Sequence, residues 1–198
     1  MKNAKLMIGI VFSLAGLTLI SIPLYHEWQQ GKELRALENA LSLISESEEE
    51  QVFLSEIDNL SFTEEQVKGV LELEIPSIEL KQKILGETTE KNLNIALTQI
   101  KKYQVPGSGN FTIAGHRGYR DKRLFSRLPK VNVGEKVYLH AGNQLFVYEV
   151  TSSKEIDPSK VEILDDHQDK NEITMITCTV SGSDRIAVKG ELIETIDK

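Results

Sequence analysis

From Leu6 to Tyr25 the chain runs twenty residues without a charge, LMIGIVFSLAGLTLISIPLY. Such a stretch must either be wholly buried in protein or cross a bilayer as a helix, which satisfies every backbone N–H and C=O within the segment itself. As a helix it spans about 30 Å, the thickness of the hydrocarbon layer. Lys2 and Lys5 precede the run, whereas His26 and Glu27 follow it. The positive flank is expected in the cytoplasm and the rest of the chain outside. A cleaved leader normally has an apolar region of about 7–15 residues that ends at a small-x-small site. This run ends Ser21-Ile22-Pro23-Leu24-Tyr25, so residues 1–28 are expected to form an uncleaved membrane anchor.

The segment 29–69 is of another kind. Leu34, Leu37, Leu41 and Ile44 recur at spacings of three and four, an amphipathic helical stripe. A polar run from Ser45 to Gln51 follows. Thr63 with Gln66, or Ser61 with Glu64, could form a capping box that opens a short helix. Between Glu33 and Lys68 ten acids meet only Arg35 and Lys68, so the chain's net charge of −7 belongs to this stretch. An acidic, partly helical, extracellular linker is expected here. The remainder of the chain is near neutral and offers no basic surface for nucleic acid.

At residue 70 the hydrophobic period changes from helical to two. Leu71, Leu73 and Ile75 alternate with acids, and Ile78 with Leu80 continues the pattern beyond Pro76. Phe111–Ala114, Lys136–Leu139, Gln144–Thr151, Glu172–Thr179 and Arg185–Glu194 read as further strands. Pro106-Gly107, Gly134, Gly142-Asn143 and Gly182 punctuate them. Two short helices are expected, one near Glu90–Leu97. The other opens at Asp121 as N-cap, with Leu124, Phe125 and Leu128 on one face. Seven or eight short strands with so few helices imply a mostly antiparallel barrel over 70–198.

Cys178 is the only cysteine, which excludes an internal disulfide and a multi-cysteine zinc site. It lies near the end of a strand, Ile173-Thr174-Met175-Ile176-Thr177-Cys178, that is apolar or β-branched almost throughout and so is expected to be buried on both faces. The Ser181-Gly182-Ser183-Asp184 turn brings the chain back, and Arg185 opens the next strand beside it. A fixed cation there favours the thiolate and can hold an oxyanion. His116 lies just past another strand between Gly115 and Gly118, where the imidazole is uncrowded. His26, His140 and His167 lack such a setting. Cys178, His116 and Arg185 are therefore the candidate catalytic residues.

Taken together these residues resemble the sortase family, class A or class D. The matching pieces are Asn110-Phe111-Thr112-Ile113-Ala114-Gly115-His116-Arg117, Thr174-Met175-Ile176-Thr177-Cys178 (with Met175 where leucine is usual) and the spaced Arg185. Leu73-Glu74-Ile75-Pro76-Ser77-Ile78, Gly86 and Leu124-Phe125 fit as well. The resemblance implies a mostly β fold, an eight-stranded antiparallel barrel with short helices, preceded here by the transmembrane helix. It also implies a cysteine transpeptidase on the outer face of a Gram-positive membrane. Its substrates are surface proteins with a Leu-Pro-x-Thr-type sorting signal, and its acceptor is a cell-wall precursor amine. Cys178 is then nucleophile, His116 general acid and base, Arg185 stabiliser of substrate and oxyanion, and Thr177 a residue lining the substrate site. No cofactor or metal is expected. Asp165 and Asp166 raise the question of calcium, but no ligand spacing supports it. The rival readings are a cysteine protease that ends in hydrolysis and a membrane-tethered binding barrel without catalysis.

Overall fold

The computed structural model describes residues 2–46, 69–118 and 121–198. They belong to two compact units, one within residues 1–62 and one within 63–198. In the first, helix α1 (Lys2–Glu46) is continuous for 45 residues. The apolar run and the leucine stripe beyond it are therefore one element through residue 46. Within it Met7–Tyr25 has a mean hydropathy of 2.2, and that stretch is not buried in the protein. The polar side chains of the run are satisfied along the helix. Thr18 Oγ1 donates to the carbonyls of Leu14 (2.8 Å) and Ala15 (2.9 Å), and Ser21 Oγ donates to that of Thr18 (3.0 Å). Pro23 lies inside the helix, a position that membrane helices tolerate. The two capping boxes expected at 61–66 lie outside the described residues.

The second unit is a closed eight-stranded barrel. Its strands are β1 (Leu71–Ile75), β2 (Leu80–Leu85), β3 (Leu97–Gln99), β4 (Asn110–Ala114), β5 (Lys136–Ala141), β6 (Gln144–Ile156), β7 (Glu172–Cys178) and β8 (Arg185–Asp197). Around the barrel they run β1-β2-β3-β4-β7-β8-β6-β5, and β5 closes onto β1. Pairing is antiparallel except for β2 with β3 and β4 with β7. The apolar residues of alternate positions fill the interior: Leu73, Ile75, Phe111, Ile113, Ile173, Met175 and Val188 are buried in one core. Each such side chain contributes roughly 1.5–3 kcal/mol. Tyr148 is buried among them. Its hydroxyl accepts the Gly107 N–H (3.0 Å), and burial pushes its pKa up to about 12.

A short helix α2 (Glu90–Ile95) is capped by Thr89, whose side chain accepts the Asn92 N–H. The helix expected to open at Asp121 does not form. Lys122 and Leu124 adopt φ of 65° and 45°, left-handed values that end any right-handed helix. Asp121 instead reaches across the loop to the Arg127 guanidinium, with Nε 2.6 Å from Oδ1. Leu124, Phe125 and Leu128 still face the core, fully or nearly fully buried. The apolar pattern was real, but a loop satisfies it.

Candidate active site

Strand register assembles the site. β4 pairs in parallel with β7, Asn110 opposite Glu172 through to Ala114 opposite Ile176. The Gly115 N–H continues this ladder by donating to the Ile176 carbonyl at 3.1 Å. Two residues past Ala114 stands His116, and two past Ile176 stands Cys178. Cys178 ends β7 on the outer face shared with Thr174 and Ile176, and His116 follows the last bond of the β4–β7 ladder. On the other side of β7, Cys178 is paired with Arg185 of β8. The Thr179 N–H donates to the Asp184 carbonyl at 3.0 Å, the bond that brackets a non-hydrogen-bonded pair, whose Cα atoms lie only about 4.5 Å apart. Cys178 and Arg185 thus form a cross-strand pair, and His116 lies just past the end of the neighbouring strand β4. His116 is exposed, and the other two are half-buried.

Each member is held by its local structure. Gly182 sits at φ 78° in the turn between β7 and β8, a conformation that suits glycine. Arg185 Nη1 donates to the carbonyls of Gly182 and Asp184, both at 3.1 Å, so the turn aims the guanidinium. Gly115 is required for a different reason. A Cβ there would lie 2.4 Å from Leu97 Cδ2 and 2.8 Å from Phe125 Cδ2. The segment carrying His116 therefore threads a slot that only glycine fits. Phe125 closes it by donating its N–H to the His116 carbonyl at 3.1 Å.

Thr177 was expected to line the substrate site. It adjoins Cys178 in the chain, but alternation turns its side chain to the opposite face, where it is 2% exposed. Its hydroxyl donates to the Gly115 carbonyl at 2.8 Å. Thr177 therefore touches the histidine's segment.

One row further along the same outer face are Ala114, Ile176 and Ala187. They make a small apolar floor, half-exposed at Ala114 and Ile176. Counting back by two from His116 and from Cys178 would have found this floor in the sequence. At the far end the face is covered by residues 163–167. Asn110 Nδ2 donates to the carbonyls of Ile163 (2.9 Å) and Asp165 (3.1 Å), and its Oδ1 accepts from Thr174 Oγ1 (2.7 Å). The Asp166 carboxylate accepts from Lys101 Nζ and from the Asn110 N–H, both at 2.7 Å. Among the described residues no group of three or more His, Cys, Asp or Glu is arranged to hold a metal ion. Glu172, nearly buried, accepts from Lys189 Nζ (3.1 Å) and lies 2.7 Å from His167 Nδ1. Burial pushes its carboxyl up, but Lys189 and His167 outweigh this and hold it below the usual range. The sequence carries no spacing signal for these contacts.

A family model, the sortase domain, matches residues 73–193. The chain belongs to the sortase family. Sortase A of Bacillus anthracis is 33% identical over 200 residues, covering 95% of this chain and 94% of that protein. Sortase A of Listeria monocytogenes is 29% identical over 206 residues, covering 96% and 92%. The barrel is similar to the crystal structure of Listeria monocytogenes sortase A, with a TM-score of 0.62 and 32% identity over 66% of this chain and 91% of that one. A Clostridium perfringens sortase D5 transpeptidase gives a TM-score of 0.62 at 25% identity, covering 83% and 98%. As a sortase this protein is a cysteine transpeptidase. The barrel expected from the strand pattern is the barrel observed, and the apolar helix is compatible with membrane anchoring.

Proposed function

We propose that this sortase cleaves a Leu-Pro-x-Thr-type sorting signal and passes the acyl group to a cell-wall amine at the outer membrane surface. The observation that carries the reading is the Cys178–Arg185 pair on β7 and β8, beside the β4–β7 ladder from whose end the His116 segment emerges. The Cys178 thiolate attacks the threonine carbonyl. The C–N bond breaks, a thioester forms on Sγ, and His116 gives a proton to the departing amine. An incoming amine then attacks the thioester, His116 takes its proton, and the thiolate leaves. Arg185 Nη1 is bound to the turn carbonyls, so its remaining donors serve the substrate and the developing oxyanion. The floor Ala114–Ile176–Ala187 gives an extended apolar peptide a surface to lie on.

Three further elements of the reading rest on the chain as a whole. Residues 1–28 are the anchor, 29–69 the acidic linker and 70–198 the catalytic domain. The near-full-length likeness to two proteins named Sortase A supports class A over class D. The lysines before the apolar run support an outward-facing domain, and a tethered enzyme meets membrane-borne amines at high effective concentration. The test is peptide consumption with and without amine. A sorting peptide alone should be hydrolysed slowly, and adding an oligoglycine or a diamino-acid amine should speed its loss and yield a new amide. Hydrolysis that no amine changes would give the reaction to the protease reading.

A further inference from the structure

We infer that Tyr25, Trp28 and Lys32 form an interfacial collar that seats α1 at a fixed depth in the lipid headgroup layer. This rests on reading Met7–Tyr25 as a membrane span. The three residues follow at spacings of three and four, so they share one helix face. The Tyr25 and Trp28 rings lie with centroids 6.2 Å apart. Lys32 Nζ stands 3.6 Å above the Trp28 ring. Tyr25 is 58% and Trp28 53% exposed, so neither ring is spent on the protein's own core. Amphipathic rings of this kind, apolar in body with one polar atom, prefer the boundary between hydrocarbon and water.

The sequence brackets the same boundary from both sides. Hydrocarbon character ends at Tyr25, and from Glu33 to Lys68 ten acids meet two cations, a composition that anionic headgroups repel. From Tyr25 to Lys32 is about 10 Å of helix, against roughly 5–8 Å of headgroup region per leaflet. The Lys32 backbone therefore stands just outside that layer, and its side chain, which leans toward the helix N-terminus and over Trp28, reaches back to the phosphates. Its ammonium serves both the phosphate layer and the Trp28 face, and the second contact strengthens as water leaves.

Trp28 is the only tryptophan in the chain, so its emission reports this site alone. The full chain is reconstituted into phosphatidylglycerol vesicles that contain lipids brominated near the headgroup or deep in the acyl chain, and incorporation is checked by flotation. The collar predicts blue-shifted emission, quenched strongly by shallow bromines and weakly by deep ones. In Lys32→Glu the shallow quenching should fall as the charge is driven off the phosphates. Flotation with water-like, unquenched emission, or with deep quenching dominant, would overturn the collar and leave the membrane span standing. An unchanged profile in Lys32→Glu would remove the lysine's part. A chain that does not float would overturn the span itself.

Discussion

Replacing Thr177 with valine keeps the shape of the side chain and removes one hydroxyl. The bond lost is the 2.8 Å donation to the Gly115 carbonyl, from a side chain only 2% exposed. Water cannot readily replace it, and leaving a buried acceptor without that donor costs about 1–3 kcal/mol. That cost divides between stability and rate. If it falls on the folded state, the barrel's Tm drops by roughly 3–5 °C per kcal/mol. If it is relieved by movement of the Gly115–His116 segment, the imidazole proposed as acid and base is displaced and transfer slows about tenfold per 1.4 kcal/mol. Two assays separate these outcomes, thermal unfolding of the detergent-solubilised chain and amide formation from a sorting peptide. Alkylation of Cys178 is the control, since the thiol itself is untouched. Thr177→Val should lose rate mainly in kcat, and Thr177→Ser, which restores the hydroxyl, should recover most of it. Equal impairment of valine and serine variants, or wild-type behaviour in both, would refute the clamp.

Arg185→Ala should lower transfer by on the order of 10²–10³, the range for one oxyanion donor. Arg185→Lys should remain severely impaired, because an ammonium cannot hold the turn carbonyls and the substrate with one planar fork; near-wild-type turnover in either would return Arg185 to a structural role. Glu172→Gln should destabilise the barrel at neutral pH by about 1–3 kcal/mol, because Lys189 keeps its charge with no carboxylate against it. Glu172 has a lowered pKa in the folded state, so its contribution is present above the ordinary value of 4.5 and is lost as pH falls through the depressed one. Thermal unfolding against pH should therefore show the wild-type and Glu172→Gln curves converging in acid, and a gap that stays constant would contradict the assignment.

The parts of this molecule legible in the sequence are those fixed by local spacing. Cys178 and Arg185 sit on one hairpin, so a turn residue and a count of seven suffice to join them. β7 reads as a doubly buried strand because its residues are apolar or β-branched on both faces. The expected strands stop at Thr151 and Glu194, short of the ends of β6 at Ile156 and β8 at Asp197. Ser152, Ser153, Lys154 and Glu155 mask the alternation of β6, and register shifts between Val147 and Tyr148 and between Val150 and Ser152 break its period. The Asp121 segment misled because loop and helix can bury the same three apolar residues, and only the left-handed Lys122 and Leu124 tell them apart. The parallel pairing of β4 with β7 brings residues 62 apart to one row. No local pattern encodes it, and His116 could be joined to Cys178 only through the family resemblance. The cover held by Asn110 and Asp166 is equally non-local, and the Thr177 clamp joins the same two distant segments.

The central claim is that Cys178 carries the acyl group between donor and acceptor. The direct measurement is the intact mass of the protein after mixing with a Leu-Pro-x-Thr-containing peptide and no amine. The account predicts an added mass equal to the peptide's acyl part, located on Cys178 and labile to hydroxylamine. Adding an amine should discharge it into an amide of matching mass, and Cys178→Ala should show neither species. Peptide turnover with no adduct at Cys178 under rapid acid quench, or an adduct that amines leave untouched, would contradict the account.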